Sequence, residues 1–407
     1  MAEGFFCLDK PEHAVYNNAC VGRAALLPPK RAALLPPGKK KLRYNSERRF
    51  MKRFNVTGLC VPEEHYMADI TGKIKQIKKL VDSRCYFTIN RARQYGKTTT
   101  LAMLERALEN DYIVASISFE GLGDKSFGSS EAFCQAFIKH IVKALWFTSA
   151  PREYIDKWVN GDVTDFDLLS DHITDMCENK KVVLMIDEVD KTSNNQMFLH
   201  FFGMLREKFL AHANGKDYTF HSVIMAGLYT PAPNENDIIY HSPWNIAVTF
   251  TVDMSFCPAE IMTMLNEYET DHNTGMDIAA ISEEIHSYTS GYPFLVSRIC
   301  QCVDEELGKA WTVEGVQNAV KIILSERNIL FEDVFKNLKN NAELSGYIYD
   351  LLILGETRFF FIYNSVVNIG VRYGFFENAN GMVAISNKVF ELLMTDYFME
   401  KDRHTNK

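Results

Sequence analysis

The sequence predicts an α/β fold with a three-layer parallel sheet over 51–255, then an all-helical segment over 256–339 and a helix-and-hairpin unit over 340–400. Three observations carry this reading. Between 51 and 255, short β-branched runs alternate with longer helical stretches, the signature of parallel strands joined by crossover helices. Beyond 256 the β signal fades into successive amphipathic stretches. Near the end, "GFFENANGMVAIS" reads as strand, Asn-Ala-Asn-Gly turn and strand, between helical segments.

In order along the chain, candidate strands are 85–90, 112–120, 181–189, 221–228 and 246–252. Three of them are near-continuous apolar runs, as expected of strands covered on both faces. Helical segments fall near 98–110, 130–147, 165–179 and 196–212. Four more follow, "PAEIMTMLNEY", "IAAISEEIHSYTS", "FLVSRICQCVDEEL" and "VEGVQNAVKIILSER", with Gly291-Tyr292-Pro293 breaking the chain before the third. The last region gives helices, the hairpin and a final helix "NKVFELLMTDYF", a pattern that suggests a winged helix; 401–407 is a tail.

Residues 1–50 differ from the rest. They hold a tandem repeat, "RAALLPPK" then "RAALLPPG", followed by "KKKLRYNSERR". Paired prolines forbid a continuing helix, so the expectation is a disordered basic leader; a tether for an acidic partner or a membrane surface is the functional alternative. Met51 opens the first domain-like sequence and stands as an alternative start, the leader then being a gene-model artefact.

Of the 407 residues, 47% are hydrophobic, enough for a large core. The leader carries 10 Lys and Arg against 4 Asp and Glu, which leaves 34 against 48 elsewhere. So acidic a body is a poor general nucleic-acid binder. Nine scattered cysteines without a C-x-x-C pair, and histidines without ligand spacing, indicate reduced thiols and no zinc site, hence a cytoplasmic protein. No apolar run is long enough to span a membrane.

The chemistry centres on "YFTINRARQYGKTTTL". Gly96, Lys97 and Thr98 end it like a phosphate-binding loop, although Arg91 stands where G-x-x-x-x-G-K-[ST] has its first glycine. In such a loop successive amides, here about Gln94, Tyr95, Gly96, Lys97, Thr98 and Thr99, converge on phosphate oxygens at a helix N-terminus. Lys97 reaches the β and γ phosphates of ATP and the Thr98 hydroxyl binds magnesium. An apolar strand before the loop and an amphipathic helix after it supply the required context. The first glycine serves the turn rather than the amide cradle. Arg91 and Arg93 are read either as charge near the phosphates or as structural arginines.

The second component is a buried strand ending in acid, "VVLMIDEVD". Asp187 holds magnesium through water and Glu188 polarises the attacking water; the plain alternative is two polar residues where a strand surfaces. With a strand intervening between loop and acid, the pattern is that of nucleotidases keeping a catalytic glutamate beside the magnesium aspartate.

Five segments in order, "FNVTGLCVPEEHYMADI", "YFTINRARQYGKTTTL", "VVLMIDEVDK", "SPWNIA" and "YTSGYPFLVSRIC", resemble the motifs of a bacterial family of predicted AAA-like ATPases. The resemblance covers 52–398. It implies a P-loop NTPase related to the STAND and archaeal-ATPase groups, with a helical lid and a winged helix, in which arginine commonly replaces the first loop glycine. Longer relatives carry a restriction-endonuclease-like nuclease domain after the winged helix; here the sequence ends at Lys407, as an ATPase-only or a truncated member. A Pro/Asn-rich stretch, "GLYTPAPNENDIIYHSPWN", also departs from the relatives' pattern and weakens any sensor assignment there.

By the same resemblance Arg298 is a lid arginine contacting the γ-phosphate, or else a salt-bridged helix residue. Asn245 is a polar sensor or a turn cap, Tyr66 an adenine stack or a core residue, and Cys300 and Cys302 packing residues. The helix near "YNSVVNIGVRYG" offers only Arg372 to DNA, so a protein partner or self-association is favoured over DNA. The functional expectation is a slow magnesium-dependent ATPase acting as a conformational switch. Its rival is a non-hydrolysing scaffold or a DNA-associated module left from an ATPase–nuclease fusion.

Overall fold

Strand β3 (Val182–Asp187) shows how the sheet is built, since all six of its residues are buried. Val182, Leu184 and Ile186 belong to one apolar cluster and Val183 and Met185 to another, so alternate side chains supply opposite faces. Burying each such side chain contributes about 1.5–3 kcal/mol, and Leu184→Ala would cost about 2–5 kcal/mol. In this computed structural model, residues 51–159, 162–189, 196–227 and 245–405 are described. The leader and most of the Pro/Asn-rich stretch lie outside them.

The sheet also contains β1 (Phe87–Asn90), β2 (Ile113–Ser118) and β4 (Ser222–Gly227), in the order β1-β4-β3-β2 and wholly parallel. Helices α1 (Thr71–Asp82) and α2 (Lys97–Leu108) cover one face through Ile77, Val81, Leu104 and Leu108. On the other lie α3 (Ser130–Leu145), α4 (Arg152–Val159), α5 (Phe166–Cys177) and α6 (Gln196–Ala213), rich in phenylalanine. This is the expected three-layer arrangement, a parallel sheet with helices on both faces.

The fifth strand expected at 246–252 is a correction. Only Val248 pairs, by one parallel bridge to Phe87, with its N–H donating to the Tyr86 carbonyl at 2.8 Å. Beyond that bridge the segment turns side chains back onto the sheet edge, Phe250 stacking on Phe87 at 5.8 Å, and ladder bonding stops.

Helices α7 (Pro258–His272), α8 (Ile278–Thr289), α9 (Pro293–Glu305) and α10 (Val313–Ser325) follow. After them come α11 (Ile329–Asn340), α12 (Ala342–Leu352), α13 (Ser365–Arg372), an antiparallel hairpin of β5 (Phe376–Ala379) and β6 (Met382–Ile385), and α14 (Lys388–Thr405). A single antiparallel bridge joins Phe359 to Met382 beside the hairpin. All of these share one apolar cluster, which also takes in Phe54 and Tyr66 from the N-terminal side of the sheet region. Phe54 lies 5.0 Å from the Tyr66 ring and 5.2 Å from that of Tyr268 on α7, and Lys52 pairs with Glu267. Residues 50–407 thereby form one unit.

Candidate functional site

The C-terminal ends of the parallel strands are where ligands meet open α/β sheets. β1 ends at Asn90, and the chain turns through 91–96 into α2. Two residues of this turn take left-handed backbone, Gln94 at φ 55° and Gly96 at φ 74°. Gly96 is the residue ahead of α2, and it offers no side chain to cap the helix; the first turn carries no acid either. By contrast α3, α5, α8, α10, α11, α12 and α13 each begin with a side-chain oxygen on a first-turn amide. α2 thus begins, as α1 does, without a side-chain cap from the residue ahead of it or an acid in its first turn, the kind of helix start whose dipole favours an anion.

Lys97 folds back over the turn, its ammonium donating to the Arg91 and Ala92 carbonyls, each at 2.9 Å. The Thr98 hydroxyl donates to Asp187 Oδ2 at 2.8 Å, across the gap between α2 and β3. Asp187 is only 9% exposed, and its other oxygen accepts the Glu188 N–H at 2.9 Å. Glu188, the first residue past the strand, has φ 57°, a left-handed conformation that glutamate rarely adopts. Loop and acid thus meet although β4 separates β1 from β3 in the sheet. Thr99 accepts the Cys60 N–H at 3.2 Å, tying α2 to the segment before α1.

Beside the loop lies a cavity of about 140 Å³ whose wall includes Gly96 and Thr99. Its apolar lining includes Val56, Met103, Met254, Phe256, Met264 and Phe294, drawn from the N-terminal segment, α2, the stretch before α7, α7 itself and α9. The Gln94 side-chain oxygen is buried here without a hydrogen-bond partner among the described residues. Tyr95 closes one side: its hydroxyl meets Ser255 Oγ at 2.7 Å and its ring meets Tyr292 edge-on at 4.5 Å. Burial pushes both phenols above their ordinary range. Sequence reasoning missed this cavity because its residues come from five distant stretches that share no periodicity. The one available signal was the break Gly291-Tyr292-Pro293, since Pro293 also lines it.

The remaining candidates each have partners within the fold. The Arg91 guanidinium donates to the Val252 carbonyl at 3.1 Å and to its neighbour Asn90 at 3.2 Å, over the Phe250 ring. It braces the turn against the sheet edge. Arg298 is paired with Glu326 at 2.6 Å and Glu306 at 2.7 Å, and it is absent from the cavity wall. Burial works against its charge, but the hydrogen bonds it donates to Glu326 and Glu306 outweigh that and raise the guanidinium's pKa. Asn245 sits in a turn and accepts from Arg206 Nε at 2.8 Å. Tyr66 is buried in the core, with its hydroxyl 3.2 Å from Asp271, and it also lines the cavity beside the loop; Cys300 and Cys302 are buried. Arg372, half-buried on α13, lines a cleft that Arg91 also lines, and burial lowers its pKa.

The parallel sheet, the loop-to-helix turn after β1 and the acid at the end of β3 are the parts of an AAA-like P-loop NTPase. The family model described as "AAA-like domain" matches residues 61–344, and the chain belongs to that family. In fold it is similar to the Walker-type ATPase of Pyrococcus abyssi, with a TM-score of 0.55 at 12% identity over 84% of this chain and 99% of that one. The ORC2 protein of Aeropyrum pernix matches more loosely, at TM-score 0.43 and 12% identity over 82% of this chain and 94% of that one. An uncharacterized WD repeat-containing protein of Synechocystis sp. is 24% identical over 238 residues, 55% of this chain and 19% of that protein. The match spans about a fifth of that relative's length. Among the described residues no helix is long and apolar enough to cross a membrane.

Proposed function

We propose that the chain binds ATP with magnesium and hydrolyses it slowly, as a switch between the sheet region (51–255), a helical lid (256–339) and a winged-helix unit (340–400). The observation that carries this is the 2.8 Å contact between Thr98 and Asp187 at the mouth of the uncapped α2. A hydroxyl and a carboxylate at that point are the oxygen donors a phosphate-bound magnesium takes.

Amides from Gln94 to Thr99 and the Lys97 ammonium hold the phosphates. Lys97 already stands over the loop, and phosphate oxygens are additional acceptors within its reach. The apolar cavity takes the base; Gln94 Oε1 is an acceptor of the kind a ribose hydroxyl or base amine satisfies. Thr98 and Asp187 are oxygen donors suited to magnesium, which when bound neutralises charge on the phosphates. Glu188, the residue just past the strand end, orients and polarises the attacking water. A cytoplasmic setting suits the free cysteines among the described residues.

The test is turnover by the purified full chain against Glu188→Gln. The variant is expected to bind ATP as the wild type does and to release no phosphate. Unchanged turnover would remove Glu188 from its role. ATP binding without turnover by the wild type would leave the scaffold reading in place.

A further inference from the structure

The turn that carries the phosphate loop is held from outside the sheet region at three points. Arg93 pairs with Asp333 on α11 at 3.0 Å. The Tyr292 hydroxyl donates to the Arg93 carbonyl. Gly374, between α13 and β5 with φ +74°, packs so closely that a Cβ there would lie 2.8 Å from that of Ala92. Between these contacts lies a cavity lined by Ala92, Arg93, Leu330, Asp333, Tyr373 and Phe375.

Lys97 binds the carbonyls of the two residues just before Arg93, so Arg93 directly follows the stretch that the Lys97 ammonium covers. Resting on that nucleotide-binding reading, we propose that Arg93 and Asp333 form a charge latch that the terminal phosphate opens. The pair is one contact between a guanidinium 55% exposed and a carboxylate 23% exposed, so it is weakly held. A polyanion in the loop competes with Asp333 for the same guanidinium and repels the carboxylate left behind. Phosphate occupancy at the loop is thereby linked to release of α11 and the turn between α13 and β5. The ligand chemistry that sets the latch is the number of phosphates, and ADP lacks the group that opens it. Asp333 acts here through Arg93, as a positioning residue.

The experiment measures Mg-ATP and Mg-ADP affinity by titration of the full chain as wild type, Asp333→Asn, Arg93→Ala and the double variant. Asp333→Asn should bind ATP about two- to five-fold more tightly, the range an exposed ion pair allows, with ADP unchanged. In the Arg93→Ala background the same change should do nothing. Hydrogen exchange in 329–340 and 373–376 should rise with ATP and not with ADP. Equal or weaker ATP binding by Asp333→Asn, a gain that persists without Arg93, or exchange unmoved by ATP would each overturn the latch while leaving the nucleotide site standing. Failure of the wild type to bind ATP would overturn both.

Discussion

Replacing Thr98 by valine keeps the branched shape and deletes the hydroxyl that meets Asp187 at 2.8 Å. Without nucleotide, the buried carboxylate keeps the Glu188 amide but loses this donor. A hydrogen bond to a charged group is worth about 1.5–3 kcal/mol, and the exposure of Thr98 places this one near the lower end. For a cooperative unit spanning 50–407, unfolding entropy is about 0.75 kcal/mol per degree, so the Tm falls by about 2 °C. ATP at a hundred times its Kd should add about 2.7 kcal/mol to the wild type, or about 3–4 °C. If Thr98 is a magnesium ligand, chelating magnesium should remove most of that gain from the wild type, while the valine variant should show the reduced gain in either condition. Thermal melts with ATP, with and without a chelator, make the comparison. A valine variant that keeps the full magnesium-dependent shift would refute the assignment of Thr98.

Gly291→Ala should be among the most damaging single changes, because its Cβ would lie 2.0 Å from the Phe256 carbonyl oxygen at a φ of +73°. Strain and overpacking together cost about 2–5 kcal/mol, readable as a lower urea midpoint. Lys208→Met should cost about 3–5 kcal/mol, since a Lys208 only 2% exposed pairs with Asp217 at 2.7 Å. Burial raises the Asp217 carboxyl, but hydrogen bonds from Lys208 and Thr174 outweigh it and hold its pKa below the ordinary value. That stabilisation is present above the unfolded carboxylate value of about 3.9 and is lost as pH falls through the folded value. The gap between wild type and Lys208→Met, followed by urea titration, should therefore narrow below about pH 4.

The sheet was legible because its strands are buried on both faces, which leaves continuous apolar runs such as "VVLMI". Loop and acid were legible as motifs, and their meeting at Thr98 and Asp187 follows from a topology that motif order anticipates. Helices α1 and α4 were not anticipated: α4 has only eight residues, and α1 buries Ile74, Ile77 and Val81 within a lysine-rich surface. The edge segment at Val248 reads as a strand by composition, yet its side chains serve packing after one bridge. The cavity beside the loop, the Arg93–Asp333 pair and the lodging of Phe54 among the helices depend on contacts between remote residues. Local pattern holds no record of such contacts.

The central claim is that the turn at 91–96 with Lys97 is a working nucleotide site. Titrating ATP with magnesium into the full chain and into Lys97→Ala tests it most directly. The wild type should bind saturably, and the variant, stripped of the ammonium that stands over the loop, should show no binding in the same range. Equal affinity in the two proteins would contradict the account.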